Sequence, residues 1–183
     1  MGRRLKVLNL DPAAKACHSP LPLTADITQF LASIGVDYLR HEHPPVSTCE
    51  EELQHVPESG AVRTKNLFLR DRRARRHLLL VTTCAKTVSI AAFTEISGAD
   101  RLSFASPERL QRCLGVEPGA VTVLGLMNDA EHAVELFIDD DVWSASTIHA
   151  HPLRNDATLV LRHEALERFL AATGHTPRIV RLK

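Results

Sequence analysis

Apolar and polar positions along this chain predict short strands interleaved with short helices. The strand-like segments are rich in Leu, Val and Ile, and turn residues bound them. They cover residues 36–40, 62–70, 77–83, 134–138, 157–161 and 179–182. The segments 62–70 and 77–83 flank a short polar stretch and should therefore form a β-hairpin.

The helical segments combine apolar residues three or four positions apart with capping residues. Thr48 and Glu51 have the spacing of a capping box. The predicted helices run from a cap at Thr24 to Gly35, over 48–56, over 89–96, from Ser106 onward and over 164–172. Because helices and hairpins interleave, we predict an α/β (mixed) fold, a single domain with a mixed β-sheet surrounded by helices. Residues 1–20 are interpreted as an N-terminal extension and 21–183 as the folded domain.

Composition and charge exclude a broad basic surface. The formal net charge is zero, with 22 basic and 22 acidic residues, so any contact with nucleic acid has to be local. The apolar run 7–10 ends at Asp11, too soon for a signal peptide, and no stretch is long enough to span a membrane. We therefore expect a cytoplasmic protein without a membrane partner.

The four cysteines, Cys17, Cys49, Cys84 and Cys113, contain no C-x-x-C pair. This spacing excludes a zinc knuckle and a thioredoxin-type motif. In a cytosolic protein it indicates reduced and mostly buried thiols.

Motifs for familiar chemistry are few. The sequence has no G-x-S-x-G elbow and no phosphate-binding glycine loop. Two H-x-H-P segments, at His41 and His149, lack a third ligand at a familiar spacing. We therefore predict neither a metal nor a cofactor, and a metal-dependent hydrolase using His149 and His151 stays as the weaker alternative.

Three segments are candidates for function, and each has an ordinary structural alternative. Lys65 begins an apolar strand, where its stem can lie on the core while the amine reaches water. The turn from Gly115 to Gly119 exposes backbone N–H groups that suit an anion or oxyanion, or it simply connects a helix to a strand. The tip of the hairpin carries arginines that are either solvated or in contact with an RNA backbone. These arginines are Arg70, Arg72, Arg73, Arg75 and Arg76.

Taken together, several segments resemble one family. They are Thr64 to Asp71, Leu114 to Thr122, Asn128-Asp129 and His151 to Thr158. In order and spacing they resemble the YbaK/prolyl-tRNA-synthetase-associated editing domains, most closely the free-standing alanyl-tRNA(Pro) deacylases. The resemblance covers about residues 22–182. It implies that family's fold and the hydrolysis of the ester that joins a wrong amino acid to tRNA(Pro).

The resemblance also implies roles for individual residues. Lys65 would anchor the substrate, while backbone amides of the loop from Gly115 to Gly119 would hold the carbonyl oxygen of the ester. A small apolar pocket would admit alanine and reject proline by clash. The expected substrate-binding residues are Asn66, Phe68, Val116, Pro118, Asn128, His151, Asn155 and Thr158.

Two alternatives remain open at this point. The chain could be a catalytically silent adaptor that binds tRNA or a synthetase, or a deacylase for serine, threonine or cysteine. The expected partners are the acceptor end of mischarged tRNA(Pro) and prolyl-tRNA synthetase.

Overall fold

The computed structural model describes residues 26–182, so the proposed extension and the cap at Thr24 lie outside the described residues. Within this range the chain forms two β-sheets with helices packed around them. The predicted α/β class is confirmed. None of the helices in the described range is long and apolar enough to cross a bilayer.

The larger sheet has five strands and is mixed. The strands of the chain are β1 Leu39–Glu42, β2 Thr64–Arg70, β3 His77–Thr83, β4 Ser103–Phe104, β5 Val134–Asp139, β6 Thr147–Ala150, β7 Ala157–Arg162 and β8 Arg178–Val180. The order in the larger sheet is β4-β2-β3-β5-β8. The predicted hairpin of β2 and β3 is antiparallel, whereas β3–β5 and β5–β8 are parallel.

The smaller sheet is an addition that the sequence did not predict. Its order is β1-β7-β6, and both pairs are antiparallel. The strand β6 was missed because His149 interrupts its apolar pattern. A single bridge between Val62 and Ile148 connects the two sheets beside the start of β2.

Side-chain caps mark the start of three of the described α-helices, those that begin at Ile27, Cys49 and Ile90. The helices are α1 Ile27–Ser33, α2 Cys49–His55, α3 Ile90–Ser97, α4 Pro107–Leu114, α5 Asp140–Trp143 and α6 His163–Thr173, with a 3-10 helix over Val123–Asn128. The predicted capping box is present at α2, where Thr48 and Glu51 satisfy each other's backbone N–H groups. At α1 the cap is Asp26 rather than Thr24, because the Asp26 carboxylate accepts the Thr28 N–H at 2.9 Å.

The core lies on both faces of the larger sheet. The central strand β3 is buried from His77 to Thr82. Leu79 and Val81 pack on one face, while Leu78 and Leu80 pack on the other with Phe93 and Phe137. This double burial makes β3 a rigid support for the polar first residues of β2.

The prediction of reduced thiols is wrong for Cys49, Cys84 and Cys113, since none of these three is a free cysteine. Cys49 at the start of α2 and Cys84 just after β3 form a disulfide, with Cα atoms 5.9 Å apart. They are 35 positions apart in sequence, so their proximity depends on how α2 packs against the hairpin. Cys17 lies outside the described residues.

Candidate functional site

A cavity of about 190 Å³ lies where the start of α2, the start of β2 and the loop after α4 meet. Its walls are formed by Ser47, Thr48, Cys49, Glu52, Thr64, Lys65, Asn66, Gly119, Val121 and His151. Pockets for drug-sized ligands are roughly 300–1,000 Å³. This cavity therefore suits a small group, such as an aminoacyl group, rather than a whole nucleotide.

Lys65 is half-buried at the wall of this cavity. Its ammonium donates to the main-chain carbonyl of Lys86 and, at 3.4 Å, to that of Cys84. An ammonium has three donors, so one remains for another acceptor. No carboxylate of the described residues forms an ion pair with Lys65, so its positive charge stays available for an anionic group.

The two glycines of the predicted loop have different positions. Gly119 lines the cavity with a φ of 88°, and its N–H has no hydrogen-bond partner among residues 26–182. Gly115 instead ends α4, where its N–H donates to the Gln111 carbonyl at 3.0 Å. Because that amide is already satisfied and lies outside the cavity wall, Gly119 is the residue of the predicted loop that lines the cavity.

Three of the predicted substrate-binding residues lie at the cavity or at a crevice beside it. Asn66 and His151 line both, and Thr158 lines the crevice. The Asn66 Oδ1 atom is buried without a hydrogen-bond partner in the described chain. His151 Nδ1 donates to the Ala157 carbonyl at 3.1 Å, which leaves Nε2 of the neutral ring as an acceptor.

The other predicted substrate-binding residues do not line this cavity. Phe68 and Val116 are core residues, and Pro118 is exposed. Asn128 caps α4 by donating to the Leu114 carbonyl at 2.8 Å. Asn155 lies outside the cavity and holds the segment just before Ser47, since its side-chain amide donates to the Val46 carbonyl at 2.9 Å.

Glu52 is the main residue that the sequence analysis missed. It lines the cavity and is only 4% exposed. Its Oε1 atom lies 2.6 Å from His149 Nδ1, and His149 Nε2 lies 3.1 Å from the Ser59 hydroxyl. The capping box indicated where α2 starts, but no sequence signal showed that Glu52 faces β6.

The charge on Glu52 follows from this network. Burial raises the pKa of the carboxyl, but the hydrogen bond from His149 and the nearby positive groups outweigh burial and lower its pKa. The side chain is therefore a carboxylate at neutral pH. Both ring nitrogens of His149 are engaged, and no group of three candidate metal ligands occurs between residues 26 and 182. The metal-dependent alternative therefore has no geometric support in this region.

The cavity is less apolar than expected, because polar and apolar atoms contribute similar shares of its surface. Most of its lining residues carry charged or hydrogen-bonding side chains, and the exceptions are Cys49, Gly119 and Val121. The polar residues come from α2 and its cap, from the start of β2 and from the residue after β6. The cavity can therefore select a ligand group both by its size and by its polar contacts.

The arginines of the hairpin tip divide into two groups. Arg72, Arg73 and Arg75 are exposed, and the described residues form no ion pair with them. The Arg70 guanidinium donates to the carbonyls of Asp71 and Arg72, and Arg76 Nε lies 2.6 Å from Glu135 Oε1. The tip is about 20 Å from the cavity, the length of β2 at roughly 3.3 Å per residue.

Comparisons with known proteins agree with this architecture. Residues 43–169 match the family described as the aminoacyl-tRNA editing domain. The chain is 36% identical to the prolyl-tRNA editing protein ProX of Acetoanaerobium sticklandii, over 83% of this chain and 93% of that protein. It is 34% identical to the prolyl-tRNA synthetase associated domain-containing protein 1 of Danio rerio, over 92% of each chain.

A solved structure supports the fold independently. A crystallised candidate trans-editing enzyme for prolyl tRNA synthetase superposes with a TM-score of 0.66. The alignment covers 90% of this chain and 100% of that one, at 18% identity, so it is used for the fold alone. With the family match spanning most of the described residues, the chain belongs to the aminoacyl-tRNA editing domain family.

Proposed function

We propose that this protein is a trans-acting aminoacyl-tRNA deacylase that hydrolyses mischarged tRNA(Pro), with Ala-tRNA(Pro) as its main substrate. The observation that carries the proposal is the joint presence at one small cavity of Lys65 and of the Gly119 amide, which no residue between 26 and 182 engages. Membership of the editing family and the name of ProX support the reaction class and the tRNA. Such a substrate is found in the cytoplasm, where we expect the protein to act.

The reaction needs no nucleophilic side chain, because an aminoacyl ester is already activated. A water molecule adds to the ester carbonyl, the bond from the carbonyl carbon to the ribose oxygen breaks, and that oxygen takes the proton. The Gly119 N–H would stabilise the developing oxyanion, as preorganised amides do in acyl transfer. Lys65 would hold the terminal phosphate or the ester end through its remaining donor. Cys49 is unavailable as a nucleophile because it forms the disulfide with Cys84.

Size would separate alanine from proline. A cavity of about 190 Å³ has to hold the amino acid together with the ester. Rejecting a larger group by clash with a rigid wall can exceed the roughly 1–3 kcal/mol that one methylene contributes to binding. The disulfide and the α2 capping box make that wall rigid.

The test is deacylation of tRNA(Pro) carrying Ala, Ser, Thr, Cys or Pro, each measured beside its spontaneous hydrolysis. We expect fast release of alanine and no release of proline. Release of serine, threonine or cysteine in preference to alanine would change the substrate but keep the reaction. Binding of tRNA or of prolyl-tRNA synthetase without any turnover would instead favour an adaptor.

A further inference from the structure

Glu52 brings a negative charge to the same cavity wall as Lys65. The carboxylate is on the first turns of α2, and the lysine is at the start of β2. Both residues line the cavity, and no ion pair joins them. Glu52 pairs with Arg63 and His149 through one carboxylate oxygen, so its other oxygen can accept from a cationic group, while Lys65 suits an anionic or strongly polar group of the same ligand.

The hydrogen bonds of Glu52 leave one carboxylate oxygen unused. Oε1 accepts from His149 Nδ1 at 2.6 Å and is 3.5 Å from the Arg63 guanidinium. Oε2 accepts no hydrogen bond from residues 26–182. His149 is itself held by Ser59, so the carboxylate has a fixed orientation. A fixed carboxylate oxygen without a donor is a strong acceptor for a cationic ligand group.

We propose that Glu52 binds the α-ammonium group of the aminoacyl ester and thereby points its carbonyl toward Gly119. This inference rests on the proposed function. The α-ammonium is the cationic group of the aminoacyl ester itself, and entering a small cavity removes its water. A carboxylate that is ionised before the substrate arrives compensates for that loss without any rearrangement.

A purely structural role for Glu52 predicts a different effect of its removal on the hydrolysis rates. The residue also connects α2 to β6 through His149, so removing its charge could loosen the whole wall. A loosened wall would slow hydrolysis of every ester alike. Recognition of the ammonium instead predicts a loss only for esters that carry the charge.

The experiment compares alanyl-tRNA(Pro) with lactyl-tRNA(Pro), in which a hydroxyl replaces the ammonium. Single-turnover rates are measured for the wild type, Glu52→Gln and the matched control Glu50→Gln, each corrected for spontaneous hydrolysis. Glu50 is exposed on the same helix and lies outside the cavity wall. Thermal unfolding of each variant checks that it is folded.

The wild type and Glu50→Gln should prefer the alanyl ester by roughly 10- to 100-fold, the range expected for a hydrogen bond to a charged group. In Glu52→Gln the alanyl rate should fall by about that factor while the lactyl rate changes little. Equal losses on both esters would overturn the role of Glu52. Equal rates on the two esters in the wild type would also overturn this role, and that comparison needs no variant. A wild type that hydrolyses neither ester would overturn the proposed function and this inference with it.

Discussion

The Lys65 ammonium lies 3.4 Å from the carbonyl oxygen of Cys84, across the open end of the β2–β3 hairpin. A second bond to the Lys86 carbonyl fixes it further. Main-chain carbonyls orient the ammonium but, unlike a carboxylate, carry no negative charge that would neutralise it. The lysine thus presents its ammonium at the wall that it shares with Gly119, and no carboxylate of residues 26–182 is paired with it.

We expect Lys65→Ala to slow deacylation by at least about 100-fold, the usual loss when one preorganised electrostatic group is removed from an acyl-transfer site. The fold should persist, because the pairing of β2 with β3 uses the backbone. Single-turnover deacylation and circular dichroism test the two parts. Lys65→Met, which keeps most of the stem, is the control for packing. Full activity in either variant would remove the lysine from the mechanism.

A matched pair of glycines tests the cavity wall. Gly119 and Gly98 both have positive φ, at 88° and 62°. An alanine at either position should cost roughly 1–2 kcal/mol of stability, the penalty for a left-handed L-residue. A Cβ at Gly119 would contact Ser47 Oγ at 3.4 Å, whereas one at Gly98 would meet nothing within 4 Å. Only Gly119→Ala should also slow deacylation, and equal rates in the two variants would exclude Gly119 from the site.

The exposed and engaged arginines of the hairpin tip should behave differently. Arg73→Ala and Arg75→Ala should each weaken tRNA binding without changing stability. Each should also make the slope of log binding constant against log salt concentration shallower by about one. Arg76→Ala should lower the free energy of unfolding by about 1–3 kcal/mol, because it breaks charged hydrogen bonds to Glu135. Binding titrations at several salt concentrations and urea unfolding measure the two effects. Unchanged tRNA affinity in the exposed-site variants would make the tip a merely solvated surface.

The disulfide between Cys49 and Cys84 should stabilise the wall of the cavity. It joins residues 35 positions apart, and closing a loop of that length is worth about 2–4 kcal/mol in the unfolded chain. Replacing both cysteines by serine should lower the free energy of unfolding by that amount in urea titrations. Non-reducing peptide mapping should recover the linked pair. Ready alkylation of Cys49 and Cys84 in the native protein would contradict the bond.

Acid should destabilise the protein through Asp129. Burial raises the pKa of this carboxyl, but the His175 side chain and the N–H groups of Ala133 and Val134 outweigh burial and lower its pKa. A group whose pKa is lower in the folded state stabilises it above the unfolded pKa, about 3.9, and loses that effect as the pH falls through the folded value. The free energy of unfolding should therefore drop below about pH 4. Asp129→Asn should be less stable at pH 7 and show a smaller drop, and an unchanged pH profile would exclude this carboxylate.

Local signals determined much of the fold. A capping box needs only Thr48 and Glu51, and the hairpin of β2 and β3 follows from two apolar runs around one polar turn. The resemblance carried by Lys65 and the glycine loop led to the editing family, which the family match then showed. These features depend on residues that are close in sequence or on the order of short motifs.

Tertiary structure alone decided what surrounds Lys65. Glu52 and His149 are 97 positions apart, and Cys49 meets Cys84 only because α2 packs against the end of the hairpin. Asn128 followed the predicted motif yet caps α4 instead of reaching the cavity. Capping and periodicity act within a few residues along one segment. The polarity and size of a cavity depend on which side chains distant segments bring together, and no single segment specifies that.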